Sequence, residues 1–102
     1  MTQPYFEILE SRDRGGLRLT LQGELDFAST RMLDERLTSL RAKKRAVRLD
    51  LSSLEFIDST GLHLLIRSMG EARSNGWKLQ IEPGVSPTVE RLFRLVHFDP
   101  FK

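Results

Sequence analysis

Two periods of hydrophobic residues alternate along this chain. Val47, Leu49 and Leu51 alternate with Arg48 and Asp50, the pattern of a strand buried on one face; Leu62, Leu65, Ile66, Met69 and Ala72 then recur at helical spacing. The run Phe56-Ile57-Asp58-Ser59-Thr60-Gly61-Leu62 joins the two. It predicts a helix from Ser59 to about Asn75, ended by Asn75-Gly76 because glycine accepts the left-handed conformation that stops helices. Ser59 thus falls at a helix N-terminus, where free N–H groups and the aligned peptide dipoles favour negative charge. A hydroxyl there can cap the helix or carry a phosphate.

The remaining pattern fills in a small fold. Tyr5 to Glu10 and Leu17 to Leu21 read as strands joined by a turn at Ser11 to Gly16, an antiparallel hairpin. A helix is expected over Ala28 to Ala42 on the spacing of Leu33, Leu37 and Leu40, and a third strand over Ala46 to Leu51. Trp77 to Glu82 alternates as a fourth strand, Pro83-Gly84 turns the chain, and Ser86-Pro87 opens a last helix with Val89, Leu92, Phe93 and Val96 on its buried stripe.

These strands are polar at every second residue, whereas parallel sheets covered on both faces have near-continuously apolar strands. The helices are therefore expected on one face only, with right-handed crossovers stacking the strands in sequence order. Arg48, Asp50, Lys78 and Gln80 should be accessible on the open face. The second and third strands become parallel neighbours, so the loops Gly23 to Phe27 and Leu54 to Thr60 leave the sheet at one edge. Asp26, Asp58 and Ser59 should share that surface. Asp26 is equally readable as a local helix cap.

With 102 residues, 39% of them hydrophobic, the chain builds one core and one domain spanning 1–102. It has no cysteine, hence no disulfide and no thiolate chemistry. No apolar stretch approaches the roughly 20 residues that span a bilayer, and no signal-like N-terminus is present, so a cytoplasmic protein without membrane insertion is expected. The formal net charge is only +2. Arg41, Lys43, Lys44, Arg45 and Arg48 cluster near one helix end, where cations complement the dipole; without a recognition motif they read as solvated surface, and nucleic acid is not an expected partner.

Chemistry-bearing motifs are few. Asp58-Ser59-Thr60-Gly61 misses the Asp-Ser/Thr-Gly loop of aspartic proteases by one residue, and Asp50-Leu51-Ser52-Ser53 misses an alternating metal-binding pattern because position 54 is leucine. There is no phosphate-binding glycine loop with a lysine and no Gly-x-Ser-x-Gly elbow. His63 and His97 stand apart in sequence from any metal or nucleophile partner. A binding protein without catalytic residues, metal or cofactor is expected. Ser59, His63 and Arg67 lie at four-residue intervals and so on one helix face, either as solvated polar surface or as a docking stripe that could meet an added phosphate.

Gly23-Glu24-Leu25-Asp26, Leu49-Asp50-Leu51, Phe56 to Leu62, Ser86-Pro87 and Leu92-Phe93-Arg94-Leu95 together resemble the STAS domain of bacterial anti-sigma factor antagonists. The resemblance implies a single α/β STAS domain, a mixed sheet with an N-terminal hairpin and helices packed on one face. It also implies a partner switch. The unphosphorylated protein binds an anti-sigma factor, often a serine kinase, and so releases a sigma factor; phosphorylation at Ser59, with Thr60 in reserve, ends binding until a cognate phosphatase acts. Asp26, Asp58, Ser59, Thr60, Gly61, His63 and Arg67 are the expected partner-binding residues. His63 stands where many relatives carry a small residue, and after Phe98-Asp99-Pro100-Phe101 the final strand and helix common in the family are not expected. The other role within the same fold is a small subunit bound to the ATPase of a membrane transporter.

Overall fold

The computed structural model describes residues 5–101. Its elements run β1 (Phe6–Asp13), β2 (Gly16–Leu25), α1 (Thr30–Ala42), β3 (Val47–Asp50), β4 (Leu54–Ile57), α2 (Ser59–Asn75), β5 (Leu79–Ile81) and α3 (Pro87–Leu95). The sheet order is β1-β2-β3-β5, with β1 antiparallel to β2 and the other pairs parallel. Alternate residues of β2, from Leu17 to Leu25, are buried and the residues between them are partly exposed. The buried leucine, valine and isoleucine positions of β2 to β5 join Leu33, Leu37, Leu65, Val89 and Phe93 of the helices in one core, against which the partly buried Phe6 and Ile8 of β1 pack. That is the one-sided, mixed α/β sheet with an N-terminal hairpin read from the alternation, and the Leu19, Leu21, Val47, Leu49, Leu79 and Ile81 side chains all point into it. Among the described residues no helix is long and apolar enough to cross a membrane.

The hairpin is longer than its sequence suggests. β1 runs on to Asp13 and β2 to Leu25, so only Arg14 and Gly15 remain as turn, and Gly23-Glu24-Leu25 belongs to a strand rather than a loop. Gly23 reads as a breaker but has φ of 91° within the strand, and a side chain there would collide with the Tyr5 carbonyl.

β4 occupies a segment whose residue pattern predicts a loop. It pairs parallel with the far end of β2, through Gly23↔Leu54, Glu24↔Phe56 and Leu25↔Ile57, while β3 pairs with Leu17 to Thr20 of the same strand. β3 and β4 are thus successive neighbours of β2, separated by a turn in which Asp50 accepts from the N–H and hydroxyl of Ser52. Opposite Gly23 and Glu24 the register shifts because β4 carries one extra residue, Glu55, so Leu54 and Ile57 are buried three positions apart and no period of two marks the strand.

Other boundaries move by a few residues. α1 begins at Thr30 rather than Ala28, because residues 27–29 are held in a turn. β5 covers only Leu79–Ile81, although Trp77 is buried and its indole N–H donates to the Arg45 carbonyl at 2.6 Å. Ser86 precedes α3 as expected, yet its hydroxyl donates to the Leu54 carbonyl at 2.6 Å, tying the helix to β4 instead of capping it. Val96, expected on the buried stripe, lies beyond the end of α3 and is exposed. Lys78 and Gln80 are exposed as expected, but Arg48 and Asp50 are only partly so. The extended hairpin brings Asp13 against Arg48, and Glu82 lies 3.9 Å from the same guanidinium.

The α2 boundaries agree with the sequence reading, Gly76 taking φ of 67° at the C-cap. Gly70 in its middle has open space where a side chain would begin. Glycine costs about 1 kcal/mol relative to alanine in a helix interior. Gly70→Ala should therefore raise the urea midpoint, by about 0.5–1 kcal/mol of stability, with an unchanged denaturant slope.

Candidate phosphoacceptor edge

Parallel pairing of β2 with β4 brings Leu25 opposite Ile57, so the chains leaving both strands emerge side by side. The Asp58 N–H donates to the Leu25 carbonyl at 3.1 Å and closes the edge. The Asp58 carboxylate then does two things. Its Oδ1 accepts from the Gly61 N–H at 3.0 Å and the Thr60 hydroxyl at 2.5 Å, capping α2, while Oδ2 accepts from the Phe27 N–H at 3.0 Å across the edge. Burial raises the Asp58 pKa, but the hydrogen bonds from Thr60, Gly61 and Phe27 together outweigh it and hold the carboxyl below its ordinary value.

The helix cap is therefore Asp58, not Ser59. A carboxylate with two acceptor oxygens can serve the helix and the neighbouring loop at once, which a hydroxyl cannot. Ser59 is the first helical residue; it is exposed, and its hydroxyl makes no hydrogen bond among the described residues. Thr60, one residue on, is exposed but its hydroxyl is already donating to Asp58.

Asp26 shares the edge and takes the local role as well. Its Oδ1 accepts from the N–H groups of Ala28 at 3.0 Å and Ser29 at 3.1 Å, fixing the turn into α1, and Phe27 between the two aspartates links them. Gly61, expected to face a partner, is buried: a β-carbon there would lie 2.6 Å from the Leu25 carbonyl oxygen. It lets α2 start against β2, and this packing role replaces a direct contact. His63 is exposed one turn beyond Ser59. Arg67 is two turns beyond, about 12 Å along the axis, and is paired with Asp34 of α1 at 3.4 Å and Glu71 at 3.8 Å.

α1 and α2 leave a groove of about 890 Å³ whose lining includes Phe27, Arg31, Asp34, Ser59, His63 and Arg67. Phe27, Arg31 and Asp34 carry no signal of this lining role in the residue pattern around Ser59. Phe27 is 80% exposed, unusual for so large an apolar side chain, and its backbone is fixed by Asp58. The sequence carries one signal of this, an aromatic directly after Gly-Glu-Leu-Asp in a segment with no helical or strand period of its own. Among the described residues there is no cluster of three or more His, Cys, Asp or Glu side chains able to hold a metal ion.

Comparison with known proteins agrees with this architecture. A curated relative, the anti-sigma-B factor antagonist of Bacillus subtilis (strain 168), is 27% identical over 80% of this chain and 74% of its own length. The solved structure of an anti-sigma factor antagonist from Mycobacterium paratuberculosis superimposes with a TM-score of 0.76, covering 91% of this chain and 79% of that one at 23% identity. The phosphorylated form of the Bacillus cell fate determinant SpoIIAA gives 0.69 over 90% of this chain and 83% of its own, at 21% identity. Finally, the model of the STAS domain matches residues 8–102, and with the one-sided sheet and the aspartate-capped edge in place, the chain belongs to the STAS domain family.

Proposed function

We propose that this STAS domain is an anti-sigma factor antagonist whose binding edge is switched off by phosphorylation of Ser59. Unphosphorylated, the edge carrying Asp26, Phe27, Asp58 and Ser59 docks on an anti-sigma factor that is itself a serine kinase, and the sigma factor is released. One observation carries the reading: an exposed serine hydroxyl, without a hydrogen-bond partner among the described residues, sits at the start of an aspartate-capped helix, beside an exposed aromatic held by the same aspartate. Aromatic side chains of this kind commonly dominate protein interfaces. The curated relative and the solved antagonists support the role by their likeness in sequence and fold.

The Ser59 Oγ attacks the γ-phosphorus of ATP, the bond from that phosphorus to the bridging oxygen breaks, ADP leaves, and the hydroxyl proton passes to a base of the kinase. Thr60 is the poorer acceptor because its hydroxyl is engaged by Asp58. The product adds about −1.5 to −2 charges beside Asp58, which a closely docked, desolvated interface opposes. A phosphatase removing that phosphate resets the edge, so the domain serves as substrate and ligand.

The test is incubation with the cognate kinase and ATP, mass spectrometry of the loop peptide, and measurement of binding before and after. Stoichiometric phosphate at Ser59 and at least roughly tenfold weaker binding, about 1.4 kcal/mol, are expected. Ser59→Ala should bind constitutively. Phosphate found only away from Ser59 and Thr60, undiminished binding by the phosphorylated protein, or stable copurification with a transporter ATPase in place of a kinase would overturn the proposal.

A further inference from the structure

We infer that Arg31 and His63 receive the phosphate carried by Ser59, so that modification bridges α1 and α2 across the groove between them. This rests on Ser59 being the phosphate acceptor and adds where the phosphate goes. Ser59, His63 and Arg31 line one groove, the first two from the same face of α2 one turn apart, the third from the first turn of α1. The groove therefore presents an arginine and a histidine, on two different elements, to a group growing from Ser59.

What each of these side chains already does decides the assignment. His63 makes no hydrogen bond or ion pair among the described residues. Arg31 has only Glu35, 3.9 Å away, with the two side chains 89% and 74% exposed. Such an exposed pair contributes little. Arg67 lines the same groove but is committed to Asp34 and Glu71, and it lies two turns from Ser59. The carboxylates that compete for these side chains are Asp26, Asp34, Glu35 and Asp58. Asp26 is occupied by Ala28 and Ser29, Asp34 is paired with Arg67, and Asp58 is occupied by Thr60, Gly61 and Phe27, which leaves Glu35 as the competitor. A phosphate dianion carries more charge than Glu35 and three acceptor oxygens, and its geometry suits the two-pronged guanidinium.

The modified protein then differs from one that merely projects charge. Arg31 and His63 turn inward, the groove beside Phe27 is bridged, and the charge offered to a partner is partly neutralised. Ser59→Asp, with a single shorter carboxylate, should reproduce this incompletely.

The experiment installs phosphoserine at position 59 during translation and follows its 31P resonance against pH. No kinase is needed, so failure of the kinase reading and failure of this inference are separable. The midpoint should lie below that of the same protein in urea, near 6, and should rise by about half a pH unit in the Arg31→Ala/His63→Ala double variant, because a nearby cation favours the dianion. The rise should shrink in 1 M salt, where screening reaches within about 3 Å. Arg67→Ala should leave the midpoint close to that of the parent. All these side chains are at the surface, and circular dichroism of each variant checks the fold. A midpoint equal in the parent and the double variant would overturn the inference, even if both lie below the urea value, since the helix terminus alone would then account for it.

Discussion

Leu49→Ala is expected to destabilise the domain by about 2–5 kcal/mol, the cost of lost burial together with the cavity left behind. Leu49 is fully buried in β3, between Leu19 of β2 and Ile81 of β5 in the parallel ladders. Its neighbours belong to strands on both sides and cannot close the gap without shifting the sheet. A domain of this size typically has about 5–15 kcal/mol of stability in total, so much of the native population at physiological temperature is at stake. Urea unfolding should show a lower midpoint at nearly constant slope. A loss under about 1 kcal/mol would contradict the central position of β3. Because the substitution lies away from the edge, whatever protein stays folded should keep the proposed acceptor, Ser59, in its exposed position.

Asp58→Ala should cost about 1–2 kcal/mol, in the upper part of the range for helix caps, because three donors lose their acceptor at once. The Gly61 N–H and the Thr60 hydroxyl lose the cap of α2, and the Phe27 N–H loses the bond that joins the two loops. The loss should depend on pH in a definite direction. The folded-state pKa of Asp58 is lowered, burial opposing the shift and the hydrogen bonds overcoming it. The stabilisation is thus fully present above the ordinary carboxylate pKa of about 3.9 and is lost as pH falls through the lower folded value. The wild-type advantage should therefore be largest at neutral pH and fade in strong acid. Glu10, Asp13 and Asp50 are also lowered, the first two chiefly by their arginine partners and the last by its bonds to Ser52 against the cost of burial. They titrate in both proteins and cancel in the difference. An advantage that persists undiminished at the lowest pH at which both proteins fold would assign the effect to packing.

Freed of the cap, Phe27 should also become mobile. A side chain so exposed gains little from the rest of the fold, and the Asp58 bond to its N–H is the tertiary hydrogen bond that holds its backbone. Amide exchange at Phe27 in the variant checks this directly.

The alternation of Leu17, Leu19 and Leu21 with polar residues was enough to place the helices on one face of the sheet, and the spacing of Leu65, Met69 and Ala72 with Asn75-Gly76 was enough to bound α2. Those patterns are local consequences of two repeat lengths, legible wherever one side of an element is buried. β4 was hidden because an extra residue within it, Glu55, spoils its period, and the reach of β2 to Leu25 was hidden because Gly23 serves a close approach by Tyr5 that only the hairpin creates. At the edge, residue types and topology put Asp26, Asp58 and Ser59 together from sequence alone. Which of the neighbouring side chains caps the helix, which hydroxyl stays free, and that Gly61 packs inward while Phe27 and Arg31 join the groove were decided by the tertiary structure. Hydrogen bonds such as Asp58 to Phe27 span 31 residues of chain, and a distance of that kind is set by packing of the sheet, not by any pattern within one segment.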